Sequence, residues 1–303
     1  MLDRFGRDVT ELRMSVTPRC NLSCFYCHKE WDPSKAEVSK EEILETVRVA
    51  KSFGVKRLKI TGGEPLLRED LPDIVREASG LLEEVSMTTN GTNLSGLWGE
   101  LRRAGLSRVN VNLPTLVREK YSKICGADLL DKVLEGIDTV AISGARPVKV
   151  NMVLLKGVNE KEVERMIEFC SSVPSILQLI ELQPIPDDKD TFDRYHLDLT
   201  QVESWIGSIA SGVEATRNGQ RNRYLVEHNG CRSAVEIVRP NENPSFCSAC
   251  SRLRVTSDGR LKPCLLRSDN LVDFVQLMKR GADGRELARQ FRMALAKREP
   301  YWR

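Results

Sequence analysis

The sequence predicts an α/β fold in which a parallel sheet curls into a partial barrel. Short apolar or β-branched runs alternate with helical patterns over the first two thirds of the 303 residues. Such alternation favours a parallel sheet with right-handed crossovers. The six units found in the sequence are too few for a complete eight-fold barrel. A cysteine-rich loop follows the first predicted strand, and barrels gather their chemistry at the carboxyl ends of the strands.

The predicted strands and helices follow one another in a regular order. The strand-like runs are residues 12–16, 57–61, 85–89, 108–113, 148–154 and 177–182. Ser39 with Glu42 three residues later is typical of a capping box, which predicts a helix up to about residue 53. Further helical patterns cover residues 70–79, 94–104, 128–142, 159–170 and 283–298.

The pattern changes after residue 186, where polar turns and short strand-like runs replace the regular alternation. We therefore expect two domains. Residues 1–186 form the partial barrel, and residues 187–303 form a C-terminal extension that carries a second cysteine group.

Composition narrows the class of protein. Apolar residues make up 41% and charged residues 29%, which is ordinary for a soluble enzyme. No apolar stretch is long enough to span a bilayer, and the N-terminus lacks the apolar segment of a secretory signal, so we expect a cytoplasmic protein without a membrane partner. Nine cysteines then indicate metal or redox chemistry. A net charge of +3 argues against general nucleic-acid binding but allows a local basic pocket.

The first cysteine group has the spacing C-x3-C-x2-C, formed by Cys20, Cys24 and Cys27. Three thiolates can hold three irons of a [4Fe–4S] cube, which leaves the fourth iron open to a cofactor or substrate. This spacing is typical of the radical S-adenosylmethionine (SAM) superfamily. The alternative is a zinc knuckle with His28 as the fourth ligand.

The second group, Cys247, Cys250 and Cys264, has the spacing C-x2-C-x13-C and again contains three cysteines. A structural zinc site normally uses four ligands. Among the other cysteines, Cys170 lies in a helical pattern and is predicted to be a core residue, whereas Cys231 remains open as a further ligand.

Together with both cysteine groups, three further motifs carry a resemblance to one family. These are Thr61-Gly62-Gly63-Glu64-Pro65, Thr88-Thr89-Asn90-Gly91 and the two arginines after Cys250. From about residue 12 to 264 the chain resembles the GTP 3′,8-cyclase (MoaA) family of molybdenum cofactor biosynthesis. The resemblance implies a radical SAM barrel of the incomplete TIM type, with an extension that closes its open side. It also implies SAM, two [4Fe–4S] clusters and GTP, which becomes 3′,8-cyclo-7,8-dihydroguanosine 5′-triphosphate.

The resemblance also implies which residues contact SAM and GTP, while it leaves catalytic residues unassigned because the radical arises at the first cluster. Glycines ending a strand would let the backbone approach SAM, and Glu64 would receive its ammonium group. The cluster ligands are Cys20, Cys24, Cys27, Cys247, Cys250 and Cys264. The SAM-binding residues are Tyr26, Gly62, Gly63, Glu64, Thr89, Asn90, Asn112 and Gln183. The GTP-binding residues are Arg13, Arg57, Lys59, Lys149, Arg252 and Arg254.

GTP carries a large negative charge, so its site needs fixed cations, and arginine is the best bidentate clamp for phosphate. Arg57 and Lys59 lie two apart on a predicted strand and therefore share one face. If that face is the lumen, the cations there require an anion or water.

The chain departs from the family pattern at four places. Gln178 replaces the usual arginine of the sixth strand, and Gln183 replaces a methionine beside SAM. Asn112-Leu113-Pro114 replaces Ser-Leu-Asp at the end of the fourth strand. The sequence ends without the glycine pair of many members.

The expected partners are an unidentified electron donor and, by pathway, the downstream cyclic pyranopterin monophosphate synthase; the chain is expected to be a monomer or a homodimer. Two other functions remain open from the sequence. One is a radical SAM enzyme with an auxiliary cluster that acts on another substrate, such as a peptide. The other is a non-catalytic iron–sulfur or zinc scaffold.

Overall fold

Six parallel strands form the centre of the sheet, as the sequence predicts. The computed structural model describes residues 1–29, 37–144, 148–185, 188–216, 221–228 and 230–302. The central strands are β1 (Glu11–Ser15), β2 (Arg57–Thr61), β3 (Glu84–Thr89), β4 (Arg108–Asn112), β5 (Val148–Leu154) and β6 (Ile176–Glu181). They neighbour one another in this order, and each boundary lies within one residue of the prediction.

Helices connect these strands. They are α1 (Lys40–Ser52), α2 (Leu71–Leu81), α3 (Leu94–Arg103), α4 (Arg118–Cys125), α5 (Leu130–Ile142) and α6 (Val163–Ser172). The capping box of α1 is confirmed, since Ser39 and Glu42 exchange side-chain and backbone hydrogen bonds. Helix α4 was not predicted, and α6 is preceded by a 3-10 turn at Glu160–Glu162, where the sequence suggested continuous helix.

The C-terminal part adds strands at both edges of the sheet. Its elements are α7 (Lys189–Tyr195), α8 (Thr200–Ser208), β7 (Ala210–Ala215), β8 (Asn222–His228), β9 (Cys231–Val238), α9 (Pro244–Ser248), β10 (Arg252–Val255), β11 (Arg260–Lys262), β12 (Val272–Asp273), α10 (Val275–Lys279) and α11 (Gly284–Ala296). The order of the twelve strands is β12-β11-β10-β1-β2-β3-β4-β5-β6-β9-β8-β7.

The prediction of a partial barrel is confirmed, and the extension lengthens its parallel part. Strand β9 pairs parallel with β6, and β10 pairs parallel with β1, while the outer strands β7, β8, β11 and β12 are antiparallel. Within the described residues no ladder joins β7 to β12, so the sheet stays open. The extension lines the cavity from both edges instead of hydrogen bonding the barrel shut.

Alternation along the strands separates the core from the cavity. In β1, Leu12 and Met14 are fully buried in the core. Glu11 and Arg13, which alternate with them along the strand, line the cavity. Strand β2 repeats this with Leu58 and Ile60 in the core. Because side chains alternate across a strand, one run of five residues supplies both an apolar core face and a polar lumen face.

Two sequence-based expectations concern residues outside the described part. The domain boundary at residues 186 and 187 falls between described ranges and stays a prediction. The side chain of Cys231 is likewise not described, whereas Cys170 is buried in α6 as predicted. No helix in the described residues has the length and apolar character to cross a membrane.

Candidate active site

A cavity of about 530 Å³ lies on the lumen side of the sheet. Every residue that the sequence and its resemblance assigned to a cluster, SAM or GTP lines this cavity. The prediction that these positions converge is therefore met by the geometry. The role of each side chain stays a prediction, since proximity alone does not identify a ligand.

The first cysteine loop is held by the end of α4. The backbone N–H of Ser23 donates to the Cys125 carbonyl at 2.9 Å, and that of Phe25 donates to the Ile124 carbonyl at 3.2 Å. The Cys24 thiol is hydrogen bonded to the Cys125 thiol, and this bond together with burial raises the pKa of Cys24. The unpredicted helix α4 therefore positions the loop.

The donor set of this loop fits an iron–sulfur cluster, because three thiols of one short loop face one cavity. Among the described residues, no three His, Cys, Asp or Glu side chains are arranged around a single point as the ligands of one metal ion. His28, the fourth ligand of the zinc alternative, has its Nε2 3.1 Å from the Pro184 carbonyl oxygen.

The two glycines after β2 are required by close backbone packing. A Cβ atom on Gly63 would lie 2.1 Å from the Arg19 carbonyl oxygen, and one on Gly62 would lie 2.9 Å from that of Thr17. The backbone N–H of Gly63 donates to the Thr17 carbonyl at 2.7 Å. The glycines thus seat the segment that leads into the cysteine loop, a reason that the sequence did not reveal; their contact with SAM stays a prediction.

Glu64 is a buried carboxylate at the junction of β2 and β3. Its Oε1 accepts hydrogen bonds from Thr89 Oγ1 at 2.6 Å and from the Leu66 N–H at 3.1 Å, and its Oε2 accepts one from the Asn90 N–H at 2.7 Å. Burial nevertheless raises the pKa of Glu64 to about 7. Three of the predicted SAM contacts, Glu64, Thr89 and Asn90, therefore form one hydrogen-bonded unit.

Two rows of charged side chains cross the opposite part of the lumen. The strand register places Arg252, Glu11, Arg57 and Glu84 in one row across β10, β1, β2 and β3. The next row along the strands holds Arg254, Arg13 and Lys59, which we call the cation row. Neighbouring strands are about 4.8 Å apart, and like charges directly opposite each other destabilise a sheet.

The acids of the first row only partly offset these cations. The carboxylate of Glu11 lies 3.4 Å from Arg252 Nε and 3.9 Å from Arg57 Nε. Burial acts to raise the pKa of Glu11, but Arg252, Lys59, Arg13 and Arg57 outweigh it and lower the pKa. Burial, followed by the charge of Arg108, lowers the pKa of Lys59 well below its usual value. Among the described residues, eleven lysines or arginines and six glutamates line the cavity, an excess of five positive charges.

A buried network surrounds Glu236, a residue that the sequence analysis did not single out. Glu236 Oε2 accepts hydrogen bonds from Lys149 Nζ and Gln178 Nε2, both at 2.6 Å. Gln178 Oε1 in turn accepts one from Asn110 Nδ2 at 3.0 Å. Burial lowers the pKa of Lys149 to about 8 although Glu236 opposes the change. The departure at Gln178 is thus a neutral bridge between Asn110 and Glu236.

Hydrogen bonds connect the second cysteine group, through the Cys247 and Cys250 carbonyls, to residues near both ends of the chain. Arg298, which is fully buried, donates to Asp3 Oδ2 at 2.7 Å and to the Cys250 carbonyl at 2.6 Å. Arg7 donates to the same Asp3 oxygen at 2.8 Å and to the Cys247 carbonyl at 3.1 Å. Burial acts to raise the pKa of Cys250, but the charges of Arg252 and Arg298 lower it, which favours the thiolate that binds iron.

Comparison with known proteins agrees with this geometry. Residues 14–170 match the radical SAM superfamily, and residues 175–303 match the family described as Molybdenum Cofactor Synthesis C. The chain is 43% identical over 307 residues to the "Probable GTP 3',8-cyclase" of Thermococcus kodakarensis, with 100% of each chain covered. The chain belongs to the GTP 3′,8-cyclase family. A protein of the same name from Archaeoglobus fulgidus is 45% identical over 308 residues, with 99% of each covered.

Solved structures support the fold alone, because they are distant in sequence. Streptococcus suis SuiB bound to its precursor peptide SuiA has a TM-score of 0.66 at 15% identity, covering 86% of this chain and 60% of that one. Methylornithine synthase (PylB) has a TM-score of 0.51 at 17% identity, covering 66% of this chain and 62% of that one. Membership of the radical SAM superfamily implies one [4Fe–4S] cluster and SAM as cofactors.

The structure also adds residues that the sequence analysis missed. Arg108, Arg221, Arg223 and Glu236 all line the cavity. Arg221 and Arg223 lie two apart beside a strand-like run, the same signal that pointed to Arg57 and Lys59. Arg298 gave no comparable signal, because its partner Asp3 is distant from it in sequence.

Proposed function

We propose that this chain converts GTP to 3′,8-cyclo-7,8-dihydroguanosine 5′-triphosphate in molybdenum cofactor biosynthesis, as a lyase that uses SAM as its radical source. The cation row carries the proposal. Arg254, Arg13 and Lys59 stand side by side on neighbouring strands, and all three line the cavity. A lumen lined by more cations than carboxylates favours a bound anion, and a nucleoside triphosphate is one.

The cysteine loop and the unit around Glu64 are proposed to hold the first cluster and SAM. Cys20, Cys24 and Cys27 would bind three irons, and Glu64 Oε2, which has one described donor, would accept the SAM ammonium group. Tyr26, Asn112 and Gln183 would complete the SAM site from the same cavity wall. When bound, the cluster and SAM would supply a 5′-deoxyadenosyl radical to this cavity.

The second cysteine group is proposed to hold another [4Fe–4S] cluster that meets the guanine base. Cys250 starts the segment whose Arg252 and Arg254 face the phosphates, so base and phosphate sites would be joined by four residues of chain. The lowered pKa of Cys250 supports its role as a thiolate ligand. Lys149, held by Glu236, would approach the nucleotide from β5.

The partners of the reaction follow from its chemistry. Reduction of the first cluster requires an electron donor, and the cyclised nucleotide would pass to the synthase that makes cyclic pyranopterin monophosphate. We place the protein in the cytoplasm, as a monomer or a homodimer, with no nucleic-acid or membrane partner.

Nucleotide binding tests this proposal through Arg254 of the cation row and Arg252 beside it. A charge-assisted hydrogen bond contributes about 1.5–3 kcal/mol, so Arg254→Ala and Arg252→Ala should each weaken GTP binding by about one to two decades. Guanosine should bind far more weakly than GTP to the parent protein and equally to parent and variants. Anaerobic equilibrium dialysis measures both ligands. Arg48→Ala is the matched control, because Arg48 is exposed on α1 and pairs with Glu45.

The outcome that contradicts the proposal is equal affinity of the parent for GTP and guanosine. It would remove the phosphate role of the cation row. The alternative of a radical SAM enzyme with another substrate would then be favoured.

A further inference from the structure

A second group of cations enters the cavity from the opposite edge of the sheet. Arg221 directly precedes β8 and Arg223 lies within it, on the strand pair that extends the sheet beyond β6. Both side chains line the cavity. The backbone of Arg221 is fixed, since its carbonyl accepts hydrogen bonds from Thr216 N at 3.1 Å and Thr216 Oγ1 at 2.9 Å.

Glu236 orients the cation next to Arg221. The register pairs Gln178 of β6 with Glu236 of β9, and Glu236 with Arg223 of β8. Arg223 Nη2 and Nε donate to Glu236 Oε1 at 2.8 and 3.2 Å. Because Glu236 is fully buried, the two hydrogen bonds that Arg223 donates to it fix the plane of the Arg223 guanidinium.

Arg221 shares its nearest carboxylate with other cations. Its Nη1 is 3.7 Å from Glu236 Oε2, an oxygen that already accepts hydrogen bonds from Lys149 and Gln178. Among the described carboxylates, Glu236 alone lies within ion-pair distance of Arg221. Lys149, Arg221 and Arg223 share Glu236, and Arg223 Nη1 also lies 3.9 Å from Glu214 Oε2, which leaves one positive charge in excess at this edge.

Arg221 at the β8 edge and Arg252 at the β10 edge line the same cavity. Burial lowers the pKa of Arg221, and the charges of Arg252 and Arg108 act in the same direction, while Glu236 and Glu11 oppose them. Arg252 belongs to β10, at the other end of the parallel part of the sheet. Like charges that meet across a partly buried cavity are unfavourable unless a bound anion separates them.

We propose that Arg221 contacts the phosphate groups of the bound nucleotide from the β8 edge, opposite the cation row, and that Glu236 and Arg223 are positioning residues for it. This inference rests on the proposed function and deepens it, because it assigns discrimination between the triphosphate and the unphosphorylated nucleoside to the β8 edge of the sheet as well as to the cation row. The hydrogen bonds from Thr216 hold the Arg221 backbone in place. The Arg221 side chain is 19% exposed, so its guanidinium can reach a ligand in the cavity.

Binding of GTP and guanosine to Arg221→Gln, measured by anaerobic equilibrium dialysis, tests the inference. We expect GTP affinity to fall about ten- to hundredfold and guanosine affinity to stay unchanged. Arg221→Lys should restore part of the GTP affinity, because it keeps the charge but loses the bidentate fork. Arg232→Gln is the control, since Arg232 lies on the adjacent β9 but is 81% exposed and pairs with Glu227 outside this cavity.

Two results would overturn the inference while the proposed function stands. One is parent-like GTP affinity in Arg221→Gln. The other is an equal loss for GTP and guanosine, which would show that Arg221 supports the fold and not the phosphates. If the parent protein itself fails to prefer GTP over guanosine, the proposed function and this inference fail together.

Discussion

At the scale of single residues, the cavity lining places charged side chains where burial removes them from water. Lys59 donates to Asn110 Oδ1 at 3.0 Å and stands beside Arg13 in the cation row. A core that needed only stability would place apolar or neutral side chains there, since a buried cation lacks the solvation it has in water. The residues that cost the fold most are therefore those that we assign to the substrate.

Glu64 gives a pH-dependent prediction. Its ordinary pKa is 4.5, and burial raises it to about 7 in the folded chain. The stability that protonation provides is therefore fully present below about pH 4.5 and is lost as the pH rises through about 7. A SAM ammonium group would offset the buried negative charge. SAM affinity should fall roughly tenfold between pH 8 and pH 6, as Glu64 gains a proton.

Equilibrium dialysis of labelled SAM at several pH values, under anaerobic conditions with the reconstituted protein, measures this dependence. Glu64→Gln is the informative variant, because it removes the titrating group and should bind SAM more weakly with a flat pH profile. A parent affinity that does not change between pH 6 and pH 8 would rule out Glu64 as the partner of the ammonium group.

The cysteine groups give a paired prediction at the same scale. Cys24→Ser and Cys250→Ser should each lower the iron content by about half, because a hydroxyl is a poor replacement for a thiolate on iron. Only Cys24→Ser should abolish reductive cleavage of SAM to 5′-deoxyadenosine. Iron analysis and chromatography measure the two effects, with Cys170→Ala as the control from the core. Parent-like iron content in Cys250→Ser would show that the second group holds no cluster.

At the scale of elements, alternation explains which parts the sequence could predict. Leu12 and Met14 alternate with Glu11 and Arg13, so β1 was recognisable from its own residues. Helix α4 has only three buried residues, Tyr121, Ile124 and Cys125, and its apolar pattern is correspondingly weak. The pairing of β10 with β1 joins segments about 240 residues apart, which no local pattern could reveal.

Arg298 tests how these elements are joined. Its side chain links α11 and the N-terminal segment to the Cys250 carbonyl, and it is fully buried. Arg298→Ala should lower the free energy of unfolding by about 3 kcal/mol, the low end of the effect of breaking a buried pair, because Asp3 keeps Arg7 as a partner. Iron in the second group should also become easier to remove.

Thermal unfolding and the rate of iron loss to a chelator measure the two effects. Arg289→Ala is the control on helix α11, which precedes Arg298, since its ion pair with Glu286 is at the surface and should contribute little. A variant at Arg298 with parent-like stability and iron retention would show that the buried arginine does not fasten the second cysteine group.

At the scale of the whole molecule, the C-terminal part completes the cavity. It brings Arg252 and Arg254 to one edge of the barrel and Glu236, Arg221 and Arg223 to the other. The resemblance of the segment after Cys250 to the family predicted the first pair. The second set depends on the order of strands in the sheet, because Glu236 becomes a lumen residue only when β9 pairs with β6. The shape of the site is thus a property of the fold and not of any motif.

The central claim is that this cavity brings GTP and the SAM radical together. The most direct measurement is anaerobic incubation of the reconstituted protein with SAM, a reductant and GTP, followed by chromatography of nucleosides and nucleotides. We predict that 5′-deoxyadenosine and 3′,8-cyclo-7,8-dihydroguanosine 5′-triphosphate form in equal amounts. Formation of 5′-deoxyadenosine while GTP is recovered unchanged would contradict the claim.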